Sequence, residues 1–422
     1  MSGPRLPTLA WRNIWRNRRR TLITLFSIAF GTLLAVLMTG IGDSSYAEMI
    51  DHAARLGGGH VIVQHPDYLE LPALDKTVEA PAAALEAIAG EPEVRAAVPR
   101  VTGGVMLATS TNNVGAAIIA IDPTREDPTT LGIVDSLVAG EMFTGPADPG
   151  IILGKTLAEN LDLELGKKVV FTVTDKSGEI ANGLARVSGI LETGAVEIDA
   201  NLALMPIDTF RGVLGYGPDE VTQIAVFVDD HRIAEALSAR LQAEYAGQLA
   251  ASGGQPAAVL PWFEASPDLA GFVTMKVTGT IIFEIIVTVL IAAGIFNTLF
   301  VSVMERMREL GILAAIGFSS RQLFGLVVWE SLWLGLCGIV AGVLLSAGPY
   351  WYLSTTGLDT TAMMGGNAQI SGVTMSPILY VRLYPDHALY IALAIVVATV
   401  AAGLYPAFKA GRVAPVEAIR IV

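Results

Sequence analysis

The run TLITLFSIAFGTLLAVLMTGIG, Thr21 to Gly42, is 22 consecutive residues without a charge. As a helix rising ~1.5 Å per residue, it is long enough to cross a hydrocarbon core of ~30 Å. Arg12, Arg16, Arg18, Arg19 and Arg20 precede it, as basic residues precede the apolar core of a signal peptide. The run is longer than the ~7–15 residues of such a core, so an uncleaved anchor is expected. Three more uncharged runs lie in the C-terminal third: Ile285–Met304 with 20 residues, Ser331–Leu358 with 28 and Ala388–Phe408 with 21. Between the first run and the others stand the 234 residues from Asp43 to Lys276. The expected fold is an α-helical membrane protein with four transmembrane helices and a large α+β extracytoplasmic domain between helices 1 and 2.

Charge gives the orientation. Arg5, Arg12, Arg16, Arg18, Arg19 and Arg20 come before Thr21 with no acid among them, so the positive-inside bias puts the N-terminus in the cytoplasm. Four crossings return the C-terminus to that side. Arg306, Arg308 and Arg321 against Glu305 and Glu309, and Lys409, Arg412 and Arg420 against Glu417, agree with it. The expected layout is a cytoplasmic segment 1–20, helices at 21–42, 277–304, 321–350 and 388–408, an extracytoplasmic domain 43–276, a cytoplasmic segment 305–320, an outer loop 351–387 and a cytoplasmic tail 409–422.

The insert carries 14 Lys and Arg against 33 Asp and Glu, a net charge of −19. Such a surface repels phosphate, which excludes nucleic acid as a partner. It suits a cationic or amphipathic substrate or a partner protein, and equally an acidic face kept for solubility. Cys337 is the only cysteine and lies in the third span, so the insert has neither a disulfide nor a thiolate metal site. Strands are expected at Gly59–His65 and Arg100–Ala108 around a helix near Pro81–Ala89. A second strand, helix, strand pattern runs through Gln223–Val228, His231–Glu244 and Ala257–Pro261. The strands expected between them are Ala116–Ile121, Gly150–Leu153, Lys168–Val173, Ala185–Leu191 and Leu202–Met205. This predicts an α+β subdomain built from both ends of the insert, with a β-rich subdomain at about 122–221.

Between the second and third spans, Met304 to Gly317 places Leu310, Leu313, Ala314 and Gly317 at i, i+3, i+4 and i+7, with Glu305, Arg308 and Glu309 off that stripe. This short amphipathic helix suits docking into a partner or lying on lipid headgroups.

These residues carry a family resemblance. Leu9-Ala10-Trp11-Arg12-Asn13 with Arg18-Arg19-Arg20-Thr21, the run Glu305-Arg306-x-Arg308-Glu309-x-Gly311-Ile312-Leu313 ending at Ile316-Gly317, and Tyr405-Pro406-Ala407 leading to Pro415-Val416-Glu417-Ala418-Ile419-Arg420 together resemble the MacB/LolC/FtsX-type permease subunits of ABC transporters. Within the insert, Ala120-Ile121-Asp122-Pro123 and Ile152-Leu153-Gly154-Lys155-Thr156-Leu157-Ala158 look like the lipoprotein-releasing LolC and LolE permeases. The resemblance implies a bacterial inner-membrane subunit with no active site of its own, paired with a second permease, the same chain or a homologue, on a cytoplasmic ATPase dimer that binds ATP and Mg. It assigns Glu305, Arg306, Arg308, Glu309, Leu310, Gly311, Leu313 and Gly317 to the ATPase-coupling helix. Its substrate would be a lipoprotein or related amphiphile drawn from the membrane, with a periplasmic carrier as a further partner. The alternatives it leaves are MacB-like export of peptides or small amphiphiles and FtsX-like regulation of a cell-wall hydrolase. LolC-type permeases recruit a carrier through a Pro-rich hook, whereas the corresponding stretch here, Thr172 to Glu179, is a short turn without proline. That departure argues against LolC-like recruitment.

Several motifs are set aside. Gly154-Lys155-Thr156 lacks the earlier glycine of a phosphate loop, Pro149 standing there, and reads as a strand entering a helix. His60 and His65, five residues apart on a strand, point to opposite faces and do not make a metal site. Glu284 lies 20 residues from Met304, ~30 Å along a helix, which places it at the outer interface or against substrate. Glu330 is expected to face a neighbouring helix, and Gly338 and Gly342 give the small-xxx-small spacing of close helix packing within the protomer.

Overall fold

The computed structural model describes residues 6–245, 247–360, 369–370, 373–374 and 378–412; the tail motif from Pro415 to Arg420, like Arg5, lies outside them. In chain order the helices are α1 (Leu6–Ile14), α2 (Arg18–Leu56), α3 (Ala82–Ala89), α4 (Lys155–Asn160), α5 (Val196–Asn201), α6 (Ile207–Leu214), α7 (Ala234–Tyr245), α8 (Trp262–Ala265), α9 (Pro267–Glu305), α10 (Met307–Ala315), α11 (Ser320–Thr355) and α12 (Pro385–Gly411). The strands of the insert are β1 (Val61–Gln64), β2 (Val78–Glu79), β3 (Val94–Ala108), β4 (Asn113–Ile121), β5 (Leu137–Gly140) and β6 (Gly150–Gly154). They continue with β7 (Lys168–Thr174), β8 (Ile180–Leu191), β9 (Leu202–Pro206), β10 (Glu220–Val221), β11 (Gln223–Val228) and β12 (Ala258–Pro261). The chain divides into a helical unit, 6–45 with 274–359 and 378–412, and an insert unit, 46–245 and 247–273, with which 360, 369–370 and 373–374 group.

Among the described residues, the segment holding α1 and α2, together with α9, α11 and α12, supplies the four helices long and apolar enough to cross a membrane. The first of them outlasts its apolar run, since α2 continues to Leu56. In the helical unit, glycine lets helices approach. A Cβ on Gly338 would stand 2.4 Å from Ile28 Cγ2, and one on Gly342 2.4 Å from Thr32 Cβ, so α2 and α11 meet backbone to side chain within the chain. Gly403 of α12 meets Ser331 of α11 in the same way. α9 differs: only Ile295, Leu299 and Val303 are buried, and Ile281, Ile282, Ile285, Ile286, Val289 and Leu290 stand exposed.

The insert unit is built on ten strands in the order β12-β1-β11-β3-β4-β9-β6-β8-β5, with β7 joining β3 to β8. That last pairing closes β3, β4, β9, β6, β8 and β7 into a ring. β3, with 15 residues, is long enough to serve two neighbourhoods: Arg100 pairs with Gln223 of β11, while Met106 pairs with Thr172 of β7. The ring therefore takes in β3 and β4, which precede the 122–221 stretch expected to be the β-rich part. Buried Val101, Val105, Leu107, Ile118, Ile151, Phe171, Val187 and Phe210 fill the core. Gly154 ends β6 where Asp199 backbone passes 2.4 Å from any Cβ, and Lys155 opens α4 bonded to Glu192 at 2.7 Å, so the glycine-lysine pair turns a strand into a helix.

The passage from α2 to β1 uses Gly59, at φ +87 with a Cβ position 2.7 Å from Val226 backbone, a place only glycine takes without strain. Next to it, His60 is buried, accepts from the Val228 N–H at 3.4 Å and lies 3.7 Å from Asp51. His65, also buried, contacts the Ser252 carbonyl at 3.1 Å. Burial lowers the His60 pKa from 6.5 to about 4. Between those values the unfolded chain takes a proton that the folded chain refuses, so stability is full above 6.5 and is lost as pH falls toward 4. At pH 5 the loss should be about 2 kcal/mol. Urea midpoints of the insert unit in the intact chain, taken at pH 7.5 and 5, should show it, and His60→Phe should flatten the slope.

Candidate functional site

The segment between α9 and α11 is a helix of its own because the backbone leaves helical geometry at Arg306 (φ −100, ψ 10) before α10 begins. Gly317 at φ +107 closes α10, with its N–H on the Ala314 carbonyl and the Phe318 N–H on that of Leu313, both at 3.1 Å. Ser319 then starts α11 through a capping box with Gln322.

Of the stripe read as suited to docking or to lipid headgroups, Leu310, Leu313 and Ala314 are packed inward, while Gly317 at its end is exposed. Leu310 is 2% exposed and Gly311 is buried, while Met307, Leu313, Ala314 and Phe318 pack beside them against Val303, Leu323, Val327, Ala407 and Ala410. On the other side Arg308, Ala315, Ile312 (50% exposed) and Ile316 (72%) face outward. Arg308 has no ion-pair partner among the described residues.

Around α10 the charges form one chain of contacts and one separate pair. Arg306 donates from Nη1 to Glu330 Oε1 at 3.2 Å and from Nε to Glu309 Oε2 at 3.4 Å. Asn13 donates from Nδ2 to the same Glu330 oxygen at 2.8 Å. Arg16 pairs with Glu309, and Arg20 with Glu305 at 2.7 Å. The bond from Arg16 holds the Glu309 carboxyl below the usual carboxylate range, and that from Arg20 does the same for Glu305. The Glu330 side chain is only 8% exposed, so its charge is met by Arg306 and Asn13 rather than by water. These residues, with Thr24, Thr298 and Leu334, line a cavity of about 330 Å³.

Glu305, Arg306, Glu309 and Glu330 are thus gathered at one place with Leu310 and Gly311 beneath them. Glu284 stands apart, accepting from the Thr39 hydroxyl of α2. The sequence reading missed Asn13, Arg16 and Arg20, because arginines ahead of a span read first as a topology signal. It also passed over Ile312 and Ile316, whose i, i+4 spacing beside Arg308 was the available sign. No group of His, Cys, Asp and Glu that could hold a metal occurs among the described residues.

Long apolar helices, a short helix tied to them by ion pairs, and a large inserted sheet unit are the parts from which a multi-span membrane protein is built. Residues 21–244 match the MacB-like periplasmic core domain and residues 281–415 the FtsX-like permease C-terminal domain, so the chain belongs to the MacB/FtsX-like family of ABC transporter permeases. Among its relatives is the lipoprotein-releasing system transmembrane protein LolC of Xylella fastidiosa, 24% identical, with 78% of each chain covered. The LolC of Neisseria meningitidis is 25% identical over 95% of this chain and 94% of its own. The macrolide export ATP-binding/permease protein MacB of Nitrobacter winogradskyi is 26% identical over 96% of this chain, which spans 58% of that protein.

Proposed function

We propose that this chain is the permease subunit of a bacterial inner-membrane ABC transporter, coupling ATP hydrolysis by a separate cytoplasmic ATPase dimer to movement of its periplasmic domain, and that it extracts lipoproteins or related amphiphiles from the membrane. The observation that carries the coupling role is α10: fixed to the bundle on one face by Leu310 and the Arg306, Glu309 and Arg16 set, it leaves Ile312 and Ile316 bare on the other. A bare apolar pair on a firmly held helix suits docking into a groove of a partner. α2 and α9 each run as one unbroken helix of 39 residues and are suited to carry that movement. The run of arginines before Thr21 favours cytoplasmic termini. The bare face of α9 suits a second permease, the same chain or a homologue.

Lipoprotein release is favoured over export because both LolC relatives align over most of their own length, whereas the MacB relative is matched over 58% of its length. The β7–β8 hairpin has only the turn at Asp175–Glu179, where the Asp175 carboxylate accepts from the N–H groups of Ser177 and Glu179 at 2.8 and 3.0 Å. Carrier recruitment through a proline hook is not part of this reading.

Affinity isolation of the intact chain in mild detergent, with mass spectrometry of bound protein and lipid, tests the substrate. A co-isolated ATPase together with a lipoprotein is expected. An ATPase accompanied by a soluble peptide or a cell-wall hydrolase would transfer the chain to the export or regulatory reading.

A further inference from the structure

The five arginines from Arg12 to Arg20 divide into two sets. Arg16 and Arg20 bond to Glu309 and Glu305, at the start of α10 and the end of α9. Arg12, Arg18 and Arg19 are exposed and have no ion-pair or hydrogen-bond partner among the described residues. A topology signal alone requires arginines in number, not arginines sorted into bound and free.

Aromatic residues stand among the free set. Trp11 and Trp15 are each 38% exposed, set edge to face at 5.9 Å, and Trp11 meets Trp333 of α11 at 5.2 Å. The Trp333 indole N–H donates to the Pro7 carbonyl at 3.1 Å, and Leu6 lies against Gly325. α1 is not a prolongation of α2. The Thr21 hydroxyl reaches the Ile14 carbonyl at 2.6 Å, although seven residues of straight helix would separate them by ~10 Å. The chain bends through the 3-10 turn Trp15–Asn17, and α1 folds back onto the first turns of α11.

We infer that α1 and the bend after it form a binding site for anionic phospholipid headgroups, with Trp11 and Trp15 as interfacial anchors and Arg12, Arg18 and Arg19 as the phosphate partners. Tryptophan prefers the headgroup level of a bilayer, and unpaired arginines beside a membrane-crossing helix meet lipid phosphate there at close range. Bidentate guanidinium bonds favour phosphate, and anionic lipid adds net charge that a zwitterionic lipid lacks. The same segment holds α10 through Arg16 and Arg20, so lipid bound on one side of it steadies α10 on the other. This regulatory consequence rests on the coupling role proposed above; the lipid contact does not.

The test needs no ATPase. The intact chain is reconstituted in nanodiscs of phosphatidylcholine containing one quarter phosphatidylglycerol, and lipids retained on release are counted by native mass spectrometry. Each arginine at a charged surface is worth roughly a fivefold preference. The wild type should retain phosphatidylglycerol selectively, and an Arg12→Gln, Arg18→Gln, Arg19→Gln variant should lose at least about tenfold of that selectivity. Glycerol phosphate in solution should not compete, and rising salt should weaken the preference. If the triple variant inserts poorly, Arg12→Gln alone, which leaves the other basic residues ahead of the span, should still reduce selectivity by a few-fold. Unchanged phosphatidylglycerol retention in variants that insert correctly would overturn the proposal, as would full competition by glycerol phosphate.

Discussion

An Arg100→Ala chain should lose about 3–5 kcal/mol of stability in the insert unit, a large share of the ~5–15 kcal/mol that holds a domain together. Arg100 is fully buried and Glu126 shows 2% of its side chain. The guanidinium donates to the two Glu126 oxygens at 2.7 and 3.0 Å, to the Thr130 carbonyl at 2.8 Å and to the Gly57 carbonyl just past α2. Removing it strands a buried carboxylate and two carbonyls at once. A paired change, Arg100→Met with Glu126→Leu, should recover much of the loss, because an apolar pair of similar volume replaces both charges. Denaturant unfolding of the intact chain, followed at the insert unit, measures both variants. Arg100 also links the last turns of α2, where Ala54 packs on Val98, Ala225 and Phe227, to the centre of the sheet.

Glu330→Ala should separate binding from coupling. The exposed face of α10 is untouched, so an ATPase should still associate with it. Arg306, however, loses its buried partner and Asn13 its acceptor, at a local cost of about 3 kcal/mol. The substrate-stimulated hydrolysis rate should fall at least about tenfold while the basal rate stays within about twofold, a difference in the range of ordinary inter-site coupling. Glu330→Gln, which keeps an acceptor for Asn13 without the charge, should fall between the two. Hydrolysis measured in nanodiscs with and without substrate decides it, with a melting curve of each variant to confirm the bundle is intact. Equal loss of both rates would place Glu330 in the structure of the bundle alone.

What could be read from the chain follows from how local each signal is. The apolar runs were plain because a membrane demands some twenty uncharged residues in succession. The end of α2 was not, since the stretch from Asp43 to Leu56 is polar and is held as helix by Asp51, Ala54 and Arg55 against the sheet. Strands such as Gln223–Val228 and Lys168–Thr174 showed in their β-branched composition, whereas the closure of the ring by β7 on β3 joins residues more than sixty apart and leaves no local mark. At the site, the helix Met307–Ala315 was visible as an amphipathic repeat. Which of its faces was bare depended on where α11 and α12 lie, and they cover Leu310 and leave Ile312 open. Glu330 met Asn13 across 317 residues, a contact that no spacing rule reaches.

The coupling role of α10 is tested most directly by the affinity of the ATPase for the intact permease, measured by co-isolation in detergent with and without Ile312→Asp and Ile316→Asp together. Neither side chain belongs to the buried cluster at this end of the bundle, so the variant should fold and melt as the wild type does. The prediction is a loss of ATPase association of at least about a hundredfold, as expected when two carboxylates replace an apolar anchor pair. An ATPase that stays bound with wild-type affinity to the double variant would contradict the account.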